Sequence, residues 1–67
     1  MWILHKGDRN VIVNLNSWDE VHRKSSAIIF LKDEKHRLME FVNEQEASQA
    51  YGYLLEAIKR KDDLVHL

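Results

Sequence analysis

The chain has 67 residues, of which 45% are hydrophobic and 31% charged, with ten Lys and Arg against eleven Asp and Glu. This length predicts a single domain spanning residues 1–67, and the near-zero net charge argues against a protein whose main task is to neutralise nucleic-acid phosphates. The sequence has no cysteine, which excludes disulfides, thiolate metal sites and cysteine nucleophiles and is compatible with a cytoplasmic location. No apolar run approaches the roughly 18 residues of a membrane span, so we expect no membrane association.

The first two thirds of the chain, residues 1–42, predict short strands. Polar and apolar residues alternate there, and many side chains are β-branched, which is typical of a half-buried sheet. Asn14, Asn16 and Ser17 interrupt this pattern and indicate a kink or bulge. The predicted strands cover residues 2–4, 10–15, 18–24, 27–33 and 36–42, with turns at residues 7–8, 25–26 and 33–35.

Residues 43–61 predict one amphipathic helix. Asn43 and Glu46 have the N-cap and N3 spacing of a capping box, with Asn in place of Ser or Thr. Apolar residues recur at helical spacing between residues 47 and 58, and three cations at residues 59–61 suit the negative end of the helix dipole. The apolar stripe of this helix is expected to cover one face of the sheet.

Together these elements predict an α+β domain, a strongly bent antiparallel β-meander of four to five strands capped by one C-terminal amphipathic helix. Short hairpins favour a meander over any parallel arrangement. Residues 1–42 form the meander, residues 43–61 the helix, and residues 62–67 (DDLVHL) a tail. The tail has three open alternatives, since it either extends the helix, packs back on the domain or crosses to a partner.

The chain opens with Met-Trp-Ile, continues with GDRNVIVNL and enters its helix through FVNEQEA, residues 41–47. In this pattern it resembles a loose group of short bacterial and phage proteins that begin Met-Trp-Ile and have a Val-Asn-Leu strand and an F-x-x-x-E-E-A helix start. That group is largely uncharacterised, so the resemblance implies a fold and no activity. The order of strands and helix is also similar to that of pleckstrin-homology-like modules, which bind lipids or peptides and usually have seven strands.

The stretch WDEVHRK, residues 18–24, contains the densest group of reactive side chains. Glu20 and His22 share one face of a strand, but a zinc site needs three or four ligands, and a third would have to come from His5 or His36 on a neighbouring strand. No spaced metal motif occurs, so we predict an exposed strand face with no metal and no cofactor. Alternation places Trp18, Glu20, His22 and Lys24 on one face and Asp19, Val21 and Arg23 on the other, unless a bulge near residues 16–17 exchanges them.

Catalytic arrangements are absent from the sequence. Asp19 and Glu20 are adjacent, so on a strand they face opposite ways and do not share a proton. Ser25 and Ser26 lack the G-x-S-x-G context of an activated serine. A domain of this size is also expected to have little volume for a pocket of a few hundred Å³. We therefore predict that the protein is not an enzyme.

Nucleic-acid binding is a second class of function to weigh. Arg23, Lys24, Lys35 and Arg37 are the candidate contacts, with Trp18 available to stack on a base. Acidic residues are interleaved with these cations and cancel much of their field. A mixed-charge surface is therefore favoured over a nucleic-acid interface, which stays an alternative.

A protein-interaction surface is the favoured class. Gly52 interrupts the helix at a cost of about 1 kcal/mol relative to Ala, and it lies at the edge of the apolar stripe beside an outward Tyr53. It is either tolerated or avoids a clash within the fold, or it permits close approach of another chain. Two tryptophans and an apolar tail also have more apolar surface than the contact between one sheet and one helix can bury. The candidate interaction residues are Trp18, Gly52, Tyr53, Leu64, Val65 and Leu67.

The sequence thus predicts a small non-enzymatic interaction module of bacterial or phage origin that binds and modulates a host protein. Contact would use an edge strand or the outer helix face, and a homodimer is one expected assembly. The alternatives are a nucleic-acid-binding accessory protein and a ligand- or metal-binding domain.

Overall fold

The computed structural model describes residues 1–6 and 10–67, and for residues 6 and 10 it describes the backbone alone. Six strands and one α-helix are found there, which confirms the α+β class. The turn predicted at residues 7–8 lies outside the described residues. The elements are β1 (Trp2–Lys6), β2 (Asn10–Asn14), a 3-10 turn (Leu15–Ser17), β3 (Glu20–Lys24), β4 (Ala27–Lys32), β5 (Lys35–Glu40), α1 (Glu44–Arg60) and β6 (Leu64–His66).

The strands β3, β4 and β5 form an antiparallel sheet, called here the meander sheet. Two-residue loops join its strands, because Lys24 pairs with Ala27 and Lys32 with Lys35. The first residue of each loop has a positive φ, which is 55° at Ser25 in the β3–β4 loop and 54° at Asp33 in the β4–β5 loop. Tight hairpins require such left-handed backbone, so the predicted turns at both places are confirmed.

The strands β2, β1 and β6 form a second sheet, called here the terminal sheet. The β1–β2 pair is antiparallel, whereas β6 pairs with β1 in parallel, with Ile3 opposite Val65. The predicted antiparallel meander with a C-terminal helix is confirmed in β3–β5 and α1, and the structure adds β6, a parallel strand within residues 62–67. The tail packs back because β1 has an unpaired edge whose N–H and C=O groups need partners. Trp2 N–H donates to Asp63 O (2.8 Å), and Leu67 N–H donates to Leu4 O (2.8 Å).

The predicted kink separates the two sheets. The Asn14 side chain accepts a hydrogen bond from Asn16 N–H (3.1 Å) and opens a 3-10 turn over Leu15–Ser17. Trp18 N–H closes the turn on Leu15 O (3.1 Å). The chain leaves the terminal sheet through this turn and enters the meander sheet at β3, so the bend divides one meander into two sheets.

The helix α1 begins and ends as its sequence indicates. The Asn43 side chain accepts from Glu46 N–H (2.8 Å), which confirms the N-cap. At the other end Lys61 has a φ of 58°, and Asp62 N–H donates to Ala57 O (3.0 Å), the pattern of a Schellman cap. No helix among the described residues combines the length and the apolar character that crossing a bilayer requires.

The core lies where the two sheets and the helix meet. Three alanines of α1 and Leu54 are buried, and these small side chains let the helix approach β3 and β4 closely. The Tyr51 hydroxyl fastens the helix to β3 by donating to Val21 O (3.3 Å). No polar or charged residue is buried within the described part of the chain. The principal core cluster contains Ile3, Val13, Ile28, Phe30, Met39, Ala50 and Leu54.

Candidate interaction surfaces

The Glu20–His22 pair predicted from the strand alternation is present. Glu20 Oε1 lies 3.3 Å from His22 Nε2, and both side chains are exposed on one face of β3. Neither histidine considered as a third ligand lies beside this pair. His36 is on β5, with β4 between it and β3, and His5 contacts the backbone oxygens of Glu40 and Leu67. Within residues 1–6 and 10–67, no three His, Asp or Glu side chains gather in a metal-binding arrangement.

An open cleft of about 560 Å³ lies beside the β4–β5 turn. The cleft is larger than the little pocket volume expected for a domain of this size, and it is open to solvent on one side. Two lysines in the cleft balance the charge of two carboxylates. The cleft also contains a serine, Ser17, but none of its six lining residues is a histidine that would activate the hydroxyl. The lining residues are Ser17, Trp18, Lys32, Asp33, Glu34 and Lys35.

The four cations considered for nucleic-acid binding do not form one stripe. Arg23 pairs with the buried Ile28, and Arg37 pairs with the buried Phe30, so both project to the inner side of the meander sheet. Lys35 precedes Arg37 by two residues on β5 and projects to the same side. Lys24 lies on the outer side. Arg23 is also engaged, because it donates to the Ser25 carbonyl (3.2 Å) and to a carboxylate of α1 (3.5 Å).

Trp18 does not share the exposed face of β3. It precedes the strand, is half-buried and packs on the core, with its ring centroid 6.3 Å from that of Phe30. Glu20, His22 and Lys24 do lie together on the exposed face, as the alternation predicts. The bend at Asp19 rotates Trp18 inward relative to the strand that follows.

Gly52 and Tyr53 lie on the solvent side of α1. Gly52 is exposed, and a Cβ built on it would meet no atom within 4 Å. This glycine therefore stands on the outer side of the helix and not at the edge of its buried stripe, and it avoids no clash within the fold. Tyr53 is one of the most exposed large side chains of the chain's described part.

The tail residues divide between the core and the surface. Val65 and Leu67 are half-buried and pack against the core cluster, whereas Leu64 is exposed. The six candidate interaction residues therefore do not form one surface. Leu64 alone among the three tail candidates projects outward from the terminal sheet.

The outer face of the terminal sheet is apolar, and it is called here the terminal face. Trp2, Ile12 and Leu64 are exposed there by 51%, 54% and 49%. Leu4 lies between them, opposite Ile12 on one side and His66 on the other. The opposite face of the same sheet holds the core residues. The terminal face comprises Trp2, Leu4, Ile12, Asn14, Leu64 and His66.

One sequence feature pointed to this face. Ile12 is apolar although it alternates with Val11 and Val13, so both sides of β2 carry an aliphatic side chain. A strand with one wet face would have a polar residue at that position. The pairing of Trp2 with Leu64 had no such indication, because it depends on the parallel register of β6.

The outer face of the meander sheet, called here the meander face, is apolar at its centre and charged at its corners. Ala27, Ile29 and Leu31 run along its middle strand and are half-buried. Leu38 of β5 is 47% exposed beside Ile29. The remaining members are Glu20, His22, Lys24, His36 and Glu40.

Comparison with known proteins finds no matching family model, no matching curated protein and no matching solved structure. The resemblance to short bacterial and phage proteins that begin Met-Trp-Ile therefore stays a prediction.

Proposed function

We propose that the protein is a small non-enzymatic module that binds another protein through the terminal face. The observation that supports this is the cluster of Trp2, Leu4, Ile12 and Leu64 on three adjacent strands, where three of the four are about half exposed. Contiguous apolar patches of this kind mark interaction sites on small proteins. Trp2 is a suitable anchor, because tryptophan is enriched among the residues that dominate binding energy.

The chemistry of the face favours an apolar partner surface. The side chains at its centre, those of Trp2, Leu4, Ile12 and Leu64, are uncharged. A partner that placed a charge here would have to bury it without a counter-ion, which is unfavourable. Asn14 and His66 supply hydrogen-bonding groups at the margin, and this arrangement of an apolar centre and polar rim is usual for protein interfaces.

The dimensions of the face favour one amphipathic helix of the partner. Its outer strands are separated by two strand spacings, about 10 Å, and a helix with its side chains is about 10–12 Å wide. The five residues of β1 extend about 17 Å, which corresponds to roughly three helical turns. The chain's own helix α1 lies on the core side of β3 and β4. Within residues 1–6 and 10–67 it is the single α-helix, so no described helix covers the terminal face.

We further propose that the partner is a host protein in the cytoplasm of a bacterium, and that binding modulates that host protein. This follows the resemblance to bacterial and phage proteins and the absence of cysteine. Binding a helix of the partner requires a stable surface and no pocket, which suits a domain of this size.

Capture followed by mapping tests this proposal. Tagged protein is used to isolate partners from a bacterial lysate, and the purified partner is titrated into ¹⁵N-labelled protein. We expect chemical-shift changes on β1, β2 and β6, and loss of capture for Ile12→Ser and Leu64→Ser. The matched variants Tyr53→Ser and Leu55→Ser replace exposed apolar residues of α1 and should bind as wild type. Equal capture by the Ile12→Ser and wild-type proteins would contradict the proposal.

A further inference from the structure

The meander face is organised as three rows that cross three strands. Directly opposite residues of an antiparallel sheet project to the same side, so each row is fixed by the strand register. The middle of every row comes from β4 and is apolar. The rows are Glu20–Leu31–His36, His22–Ile29–Leu38 and Lys24–Ala27–Glu40.

The corners of this face alternate in chemistry. Passing round its margin, the corner residues are Glu20, Lys24, Glu40 and His36. Each carboxylate therefore has a nitrogen-bearing side chain at both neighbouring corners. All four are exposed, and neither Lys24 nor Glu40 forms an ion pair with another described residue of its own chain.

We propose that this face binds a second copy of the chain in a two-fold symmetric dimer. When two copies meet face to face, the two-fold axis lies in the plane of the interface and exchanges neighbouring corners. With the axis parallel to β4, Lys24 lies over Glu40 of the second copy and Glu20 lies over His36. With the axis across the strands, Lys24 lies over Glu20 of the second copy. Either orientation opposes unlike groups.

The apolar centre is also self-complementary. Ile29 lies in the middle row of the middle strand, so an axis through the centre of the face packs it against Ile29 of the second copy. Leu31 and Leu38 extend this contact, which places their exposed apolar area away from water. Face-to-face packing of two sheets is a common arrangement in proteins.

The small size of the face argues against a tight, permanent dimer. Three short strands provide less than the roughly 800 Å² per partner of a standard protein interface. We therefore expect a dissociation constant in the micromolar range, and an equilibrium that shifts with protein concentration. This inference does not depend on the proposed function, because the terminal face and the meander face belong to different sheets.

Sedimentation equilibrium over a range of concentrations tests the dimer. The mass is expected to rise from the 8.0 kDa of one chain towards twice that value. Leu38→Lys, a change at an exposed position, should give a monomer with an unchanged circular dichroism spectrum. Leu64→Lys, the matched change on the terminal face, should leave the dimer intact. A wild-type protein that stays monomeric at millimolar concentration, or a dimer that Leu64→Lys and not Leu38→Lys dissociates, would overturn the inference.

Charge exchange provides a second test that does not alter the apolar centre. Lys24→Glu should weaken the dimer by about tenfold or more, because it opposes like charges in either orientation. Adding Glu40→Lys should restore the dimer if the axis is parallel to β4, and adding Glu20→Lys should restore it if the axis crosses the strands. Failure of both double variants to restore dimerisation would overturn the assignment of this face.

Discussion

His5 stacks on Phe41, with the two ring centroids 4.3 Å apart and the planes inclined by 39°. His5 Nδ1 lies 3.0 Å from Leu67 O and Nε2 lies 2.9 Å from Glu40 O. One side chain of β1 therefore contacts the end of the meander sheet and the end of the tail. A neutral imidazole has one N–H, so it donates to one of these oxygens at a time.

Replacing His5 should loosen the connection between the two sheets. His5→Phe keeps an aromatic ring beside Phe41 but removes the hydrogen bond, and we expect a loss of roughly 1–2 kcal/mol in the free energy of unfolding. His5→Ala also removes the aromatic contact and should lose about 1 kcal/mol more. Urea denaturation measures both values.

His36→Ala is the matched control for these variants when all are measured at a protein concentration low enough to dissociate the proposed dimer. His36 is exposed on β5, so its replacement should then change stability by less than about 0.5 kcal/mol. If His5→Phe were as stable as wild type, the hydrogen bonds of His5 would contribute nothing to the fold.

Adjacent tail residues should differ sharply in their effect on stability. Val65 faces the core opposite Ile3, whereas Leu64 projects outward beside Trp2. Val65→Asn places an amide against apolar side chains and should destabilise the protein by about 2 kcal/mol. Leu64→Asn replaces a side chain that is 49% exposed and leaves the core unchanged, so it should destabilise the protein by no more than about 1 kcal/mol.

Thermal unfolding followed by circular dichroism compares the two tail variants. Equal destabilisation would mean that the tail is not held in the parallel register. A stable Val65→Asn protein would show that β6 contributes little to the core.

The helix could be predicted from the sequence because its determinants are local. Asn43 and Glu46 are three residues apart, and the apolar spacing that buries Leu54 lies within the same segment. The β3–β4 and β4–β5 hairpins are local as well, since two loop residues fix each register. Local sequence reasoning is dependable where partners are separated by so few residues.

The terminal sheet could not be predicted in the same way. The pairing of Trp2 with Leu64 joins residues 62 positions apart, and three residues are too few for an alternation that distinguishes a strand from a tail. The sequence does not predict the terminal face, because its apolar residues come together only when β6 lies beside β1. Alternation along β3 predicts Trp18 on the exposed face, because the inward bend at Asp19 leaves no clear pattern in the sequence.

Substituting Gly52 should stabilise the isolated protein. The space around it is open and its position is inside α1, so Gly52→Ala should raise the free energy of unfolding by about 1 kcal/mol through helix propensity. Gly52→Ser should give a smaller gain, because serine lies between alanine and glycine in that scale. Urea denaturation of the three proteins gives the order.

The same variants also test whether the outer face of α1 contacts a partner. If Gly52→Ala stabilises the fold and leaves partner capture unchanged, no partner backbone approaches the glycine. If it weakens capture, α1 belongs to the binding surface and the terminal face is not the sole contact.

The C-cap of α1 offers a last stabilising change. Lys61 has a φ of 58°, a left-handed conformation that is unfavourable for a residue with a Cβ by roughly 1–2 kcal/mol. Lys61→Gly removes this strain but also the cation that favours the negative end of the helix, an effect of about 0.3–1 kcal/mol. We therefore expect a net gain of about 0.5–1 kcal/mol, measured by urea denaturation.

Lys61→Ala separates the two contributions, because alanine keeps the Cβ at the same φ and loses the charge. It should be slightly less stable than wild type, so the two variants should change stability in opposite directions. If Lys61→Ala and Lys61→Gly were equally stable, the left-handed backbone at this residue would not be the source of the strain. Since Asp62 N–H donates to Ala57 O only when this cap is formed, its hydrogen-exchange protection should rise in Lys61→Gly and fall in Lys61→Ala.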